Sequence, residues 1–420
     1  MKAVLLTILI LSCASLAWAG GPAKAPANPE AAWTNWPWKD ANFFPITVWL
    51  QSPKNAQKFK DMGINLYVGI FSGPKYEDLE AYEKAGMPVI CSQTEGALKY
   101  AKEKPGGVIV AWMHGDEPDN AQAIAHWKSI EDLKAAWPES TKKTLAEWGT
   151  YGPPIPPKTI VADYEKIKKN DPTRPVMLNL GQGVAYDRYG GRGYRSGKTE
   201  DYPEYMRGCD IASFDIYPVV HNKPEIKGNL WFVPLGVERL LKWGDGKKIV
   251  WNCIECTPIS SDTAIASPQQ IKTEVWMSLI AGSQGIIYFV HEFKPKFIEA
   301  GVLSHPEQAK AIAEVNKQIT SLAPVLNSPT IAGGVTVKSS DEKAPVAAVM
   351  KQLGGATYVF AVAMRDQECA ASFQFAKVVG GDTKAEVPDE GRTIPVKGGA
   401  FQDKFKGYEV HLYKVPAPGK

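Results

Sequence analysis

The stretch "INLYVGIFSGPKYEDLEAYEKAGMPVICSQ", residues 64–93, decides how the rest of the chain is read. Its two ends, 64–71 and 87–93, are short apolar runs rich in Ile, Val, Leu and Tyr, the composition of buried strands. Between them, 75–86 carries apolar residues at helical spacing and stops at Gly86, a residue that commonly ends helices. Strand, helix and strand in such close succession form a βαβ unit, whose strands lie parallel.

The same alternation continues on both sides. Strand-like runs cover 43–50, 108–114, 175–181, 209–219, 247–257 and 285–293. Helical patterns cover 55–63, 95–106, 233–244, 267–282 and 305–326. The segment 121–170 is helical at both ends, around the proline-rich "YGPPIPPK" of 151–158. Eight strands alternating with helices predict a (β/α)8 TIM barrel over 41–328. A doubly wound open sheet is the alternative, but it would need a glycine-rich loop after an early strand, and none is present. Beyond 328 the pattern changes to short strands with turn signals, such as "ATYVFAVAM" and "YEVHLYKV". These predict a C-terminal antiparallel β domain, a β-sandwich, over 329–420.

Composition narrows the function classes. The 420 residues include 48 basic and 45 acidic ones, a net charge of +3. That balance gives no nucleic-acid or membrane-surface signal. Residues 1–19 read as a secretory signal: Lys2, an apolar run from Ala3 to Leu11, and the small-x-small site Ala17-Trp18-Ala19. Cleavage after Ala19 and a secreted or periplasmic location are expected, with lipid attachment at Cys13 as the alternative. Residues 20–40 read as a linker followed by a Trp-rich segment that packs on a barrel end. No later stretch is apolar enough to span a membrane. Five cysteines remain after the signal, too few for a disulfide scaffold, although one or two bridges are possible. Cys253 and Cys256 have zinc-like spacing but lack a second close pair, so no metal is expected. Oligomeric state is left open.

Barrel enzymes carry their chemistry at the C-terminal ends of the strands. The fourth strand ends in "HGDEPDN" (114–120) and the seventh in "CIECT" (253–257). Alternation puts Glu117 on one face with Gly115, Met113 and Ala111, and Glu255 on one face with Cys253 and Trp251. Strands four and seven face each other across a barrel, so both glutamates could enter one cleft. A protonated carboxyl opposite an ionised one is what glycosidic bond cleavage requires. Pro118 is expected to hold the backbone of Glu117 extended, and Asp116 to bind a sugar hydroxyl. The plainer reading of the same residues is a polar loop in which Asp119 caps the following helix.

These strand ends resemble the large (β/α)8 clan of retaining glycoside hydrolases, over residues 40–326. The resemblance implies Glu117 as general acid/base, Glu255 as nucleophile, and Tyr217 of "DIYP" beside the nucleophile. The clan usually has Asn where this chain has Asp116, and often Trp after strand eight, where this chain offers His291 and Glu292. An Asp-Glu pair after strand four also occurs in hexosaminidases that use the substrate's acetamido group, with Asp116 orienting it and Glu117 as the acid. Further candidates for substrate contact are His114, Trp49, Gln51, Asn179, Asp215 and Asn252, at or near strand ends. His114 and His291 could equally be structural, and Trp112 and Trp251 core.

The loop after strand five, "GQGVAYDRYGGRGYRSGKTEDYPEY", reads as flexible and solvated. Its Arg188, Arg192 and Arg195 would suit an anionic glycan if they faced the cleft. The expectation is a secreted glycosidase acting on carbohydrate without a cofactor. A carbohydrate-binding barrel without activity is the rival reading.

Overall fold

The computed structural model describes residues 33, 35–261, 263–376 and 382–416. The expected signal segment, the site after Ala19 and Cys13 lie outside them. Nine parallel strands form the central sheet: β1 (Ile46–Trp49), β2 (Leu66–Val68), β3 (Val89–Cys91), β4 (Ile109–Asp116), β5 (Val176–Leu180), β6 (Ile211–Phe214), β7 (Ile249–Val250), β8 (Asn252–Glu255) and β9 (Ile286–Phe289). Their order is β7-β6-β5-β4-β3-β2-β1-β9-β8. Only Trp251 separates β7 from β8. β7 pairs with β6 and β8 pairs with β9. The two are halves of one broken strand, so the sheet closes and the expected (β/α)8 barrel is the fold.

The helices follow their strands: α1 (Ala56–Asp61), α2 (Tyr76–Lys84), α3 (Glu95–Glu103), α4 (Ile130–Ala136), α5 (Pro157–Asn170), α6 (Tyr202–Tyr205), α7 (Phe232–Trp243), α8 (Pro268–Ala281) and α9 (Pro306–Leu326). Local chemistry sets their ends. Thr94 Oγ1 accepts from Ala97 N at the start of α3, and Ser267 with Gln270 forms a capping box on α8. Gly282, at φ +109°, ends α8 in a conformation that suits glycine.

Strand parity sorts the core. Leu66, Val68, Ile90, Ala111, Met113, Met177, Ile211, Trp251, Cys253 and Ile287 form one buried cluster inside the barrel. A larger cluster lies between strands and helices. The N-terminal end of the barrel is closed by tryptophans. Trp36 stacks on Trp251 at 6.4 Å, and Asn35 Nδ2 donates to the carbonyls of Gly107 and Ile109 at 2.7 and 2.8 Å. Gly285 leaves room for this arrangement, since a Cβ there would lie 2.5 Å from Trp251 Nε1.

Beyond α9, a three-stranded sheet packs on a five-stranded one around a shared apolar core. The first holds β10 (Val335–Ser339), β13 (Cys369–Phe375) and β16 (Ala400–Phe405). The second holds β11 (Val346–Leu353), β12 (Ala356–Ala363), β17 (Val410–Val415), β14 (Thr383–Val387) and β15 (Arg392–Val396). This unit rests on α8: Trp276 meets Phe360 at 5.2 Å, and Thr273 Oγ1 donates to Tyr408 O at 2.6 Å. No described helix is long and apolar enough to cross a membrane.

Candidate active site

β4 delivers its last residues to the C-terminal mouth of the barrel. Asp116 is exposed there, and Asn179, at the end of β5, donates Nδ2 to Asp116 Oδ1 at 2.9 Å. Ser213 on β6 donates to Asn179 Oδ1 at 2.6 Å and so fixes the amide. Glu117 follows at φ +45°. This corrects the extended backbone expected from Pro118. Proline removes the right-handed helical region for the residue before it, and the chain must still turn sharply. Glu117 N donates to Asn179 O at 2.9 Å, and Asn120 N donates to Glu117 O at 3.1 Å. The left-handed region satisfies both, at a strain of about 1–3 kcal/mol for a non-glycine residue.

The side chain of Glu117 hydrogen-bonds to that of Asp215, which lies one residue beyond β6. Two carboxyl groups in contact must share a proton. Desolvation pushes the Glu117 carboxyl up to about 7; the bond to Asp215 opposes this, while Asp116 and Asp119 add to it. Burial and then the Glu117 charge hold Asp215 well above the usual carboxylate range. The pair therefore keeps one proton at neutral pH. Tyr217 lies buried among Asp215, Cys253, Glu117 and Asp116.

Three neighbours were not read as part of the site: Asn120 and Tyr189 went unread, and Asp119 was expected only as a helix cap. Asp119 is fully buried and caps no helix; its carboxylate accepts from Gly181 N at 2.8 Å and from Tyr202 Oη at 2.9 Å, stapling the β4 and β5 loops together. Asn120 reaches Glu117, and Tyr189 reaches Asn120. Tyr189 sits in a tyrosine-rich loop and Asn120 in the acidic motif, which was the available signal.

Glu255 does not join this cluster. It is fully buried, and its carboxylate accepts from Val219 N at 2.6 Å and Val220 N at 2.9 Å. Its carboxyl partner is Glu274 on α8, not Glu117. Strand parity allows Glu255 to face inward, but the loop after β6 folds over it and supplies two N–H groups that the carboxylate satisfies. Burial pushes Glu255 up to about 7, so this second pair also holds a proton.

The remaining candidates make their contacts within the protein. His114 Nε2 meets Ile160 O on α5 at 3.0 Å, between strand and helix. Gln51 is buried, with Nε2 donating to Glu299 O at 2.6 Å. Trp49 is buried in the inner cluster, and its carbonyl meets His291 Nε2 at 3.0 Å. Asn252 is fully buried, its Nδ2 3.4 Å from Cys253 O. Glu292 pairs with His305 Nε2 at 2.7 Å.

The arginine-bearing loop is ordered by its own charges, which corrects the solvated reading. Arg192 is 1% exposed; it donates to Asp201 Oδ2 at 2.7 Å and to Lys198 O at 2.6 Å, and lies over the Tyr202 ring. Arg195 also bonds Asp201, donating Nε to Oδ2 at 3.0 Å. Of the three arginines only Arg188 is exposed. Cys91, Cys209, Cys253, Cys256 and Cys369 are all buried and unpaired, so the bridges thought possible do not form among them. Among the described residues no group of side chains is arranged to hold a metal.

A closed barrel followed by a β domain is an arrangement this chain shares with several solved structures, glycoside hydrolases among them. AmyP in complex with maltotriose matches with a TM-score of 0.50 and 11% identity, over 91% of this chain and 98% of that one. The alpha-amylase of Geobacillus thermoleovorans complexed with acarbose matches with a TM-score of 0.50 and 12% identity, over 90% and 99%. Gan42B, a GH42 beta-galactosidase from G. stearothermophilus, matches with a TM-score of 0.53 and 10% identity, over 89% and 98%. At these identities the likeness is one of fold. No protein-family model matches the chain, and no curated protein matches it.

Proposed function

We propose that the chain is a glycoside hydrolase acting on an oligo- or polysaccharide, with Glu117 as proton donor. The observation that carries this is the Glu117–Asp215 pair, which keeps one proton at neutral pH at the barrel mouth. Glu117 delivers that proton to the glycosidic oxygen. The bond from the anomeric carbon breaks, its electron pair stays with the leaving oxygen, the positive charge that develops on the sugar meets the carboxylate of Asp116, and a water molecule adds to the anomeric carbon and gives up its proton to the Glu117–Asp215 pair. The likeness to proteins solved with maltotriose and acarbose supports a carbohydrate substrate.

A double displacement through Glu255 is not what this geometry favours, because that carboxylate is buried and bound to two backbone N–H groups. A second reading has its own observation. Asp116 is exposed beside the acid and oriented by Asn179, as needed to hold an acetamido group that attacks the anomeric carbon.

Nitrophenyl glycosides with and without a 2-acetamido group test both readings, with proton NMR of the first-formed anomer. Turnover confined to acetamido sugars, with retention, selects assistance by the substrate. Turnover of sugars lacking the acetamido group, lost in both Glu117→Gln and Asp215→Asn, selects the carboxyl pair. Binding without turnover in the unmodified protein would leave a carbohydrate-binding barrel. Export is proposed as well, and a mature N-terminus at Gly20 by mass spectrometry checks it.

A further inference from the structure

Six large hydrophobic side chains stand exposed among the described residues, and three of them gather at one place: Phe71 at 44%, Phe293 at 44% and Phe297 at 54%. Phe71 follows the C-terminal end of β2, and the other two follow that of β9. All three therefore lie on the barrel face that carries Glu117 and Asp215. Buried His291 is their hub, with Phe71 edge-on at 5.7 Å, Phe297 stacked at 5.4 Å and Phe293 stacked at 6.3 Å. Partly buried Phe289 carries the aromatic contacts inward. Its ring lies 5.9 Å from Phe293 and 5.2 Å from Tyr217, which borders the acid pair. Aromatic contacts thus run without a break from the carboxyl cluster, through buried Tyr217 and His291, to the exposed rings at the rim.

The rim is also held rigid. Glu292 and Ile298 exchange backbone hydrogen bonds of 3.0 and 2.9 Å, closing the loop that carries Phe293 and Phe297. The Glu292–His305 contact anchors its base. His291 Nδ1 is buried without a partner, the one unmet polar atom in the cluster. Exposed apolar patches bordered by polar groups mark binding surfaces, and the negative face of an aromatic ring attracts the polarised C–H groups of a sugar face.

We infer that Phe71, Phe293 and Phe297 form a stacking platform for a glycan chain, gripping a sugar unit away from the bond cleaved at Glu117. This rests on the glycosidase reading for its substrate class. The test uses the full chain carrying Glu117→Gln, so that ligands bind without turnover. Calorimetry compares disaccharides with hexasaccharides of the cello, malto and chito series. Adding Phe293→Ala and Phe297→Ala should weaken the best hexasaccharide about tenfold and its disaccharide far less. Phe297→Trp alone should keep or tighten hexasaccharide binding, which a merely apolar contact would not require. Unchanged hexasaccharide affinity in the double variant would overturn the platform, and so would absence of binding across all three series. Sedimentation showing a dimer that the double variant dissolves would assign the patch to a second copy instead. If the protein with Glu117 intact binds the hexasaccharide by this surface but never cleaves it, the catalytic reading fails and the platform stands.

Discussion

Glu117 is held against two preferences at once. Its backbone occupies a region that favours glycine, and its carboxyl sits where ionisation is disfavoured. Both costs are expected at a working site, where stability is exchanged for chemistry. Glu117→Gly should therefore melt at a higher temperature than the parent while losing turnover. Glu117→Gln should lower kcat by about 10²–10⁴-fold. As an acid that titrates near 7, Glu117 should give a kcat/KM that falls above about pH 7, and the Gln variant should lack that limb. The same direction of shift bears on folding. A carboxyl raised in the folded state keeps its proton where the unfolded chain has released it, so stability is present at low pH and lost as pH rises from the ordinary value towards the raised one. Glu238 on α7 isolates the effect, since burial alone pushes it up to about 7. Glu238→Gln should leave thermal melts below about pH 4 nearly unchanged and raise the melting temperature at about pH 8. Strand-end position was enough to read Asp116, Glu117, Asn179 and Asp215 as candidates, the resemblance added Tyr217, and the five lie near one another. Glu255 had the same signature, yet its surroundings depend on which loop folds over it, and a single strand's pattern does not contain that.

The loop after β5 is the element where composition misled most. Glycine and charge suggest solvation, but Arg192 and Asp201 neutralise each other in the interior, and Gly183 gives the guanidinium stem its space. Removing one partner of a buried pair leaves the other desolvated and alone. Arg192→Ala should cost about 3 kcal/mol in denaturant unfolding. Because Tyr189 rides on the same loop, the variant should also lose turnover under conditions where it remains folded. The short strands β14, β15 and β16 escaped for a related reason. Each exposes charged or polar residues on one side, and Pro388 and Gly391 punctuate the first two, so the segment looks like loop until its neighbours are in place. The barrel strands were legible because nearly every residue in them is apolar, as strands covered on both faces must be.

At the scale of the molecule, the tryptophan floor and the acidic mouth occupy opposite ends of one barrel and should be separable by mutation. Trp36→Ala removes a buried ring from the closed end and should cost about 3–5 kcal/mol. Turnover per folded molecule should stay near that of the parent, as active-site titration against the folded fraction would show. The closure of the sheet has a consequence for how the chain is made. β1 needs both β2 and β9 as neighbours, and β9 is the last barrel strand in the chain. On the ribosome, one edge of β1 therefore stays open through most of synthesis, a template for any other extended strand that meets it. Slow, cool expression should favour the soluble protein over inclusion bodies, because nascent chains then spend that interval at lower mutual concentration.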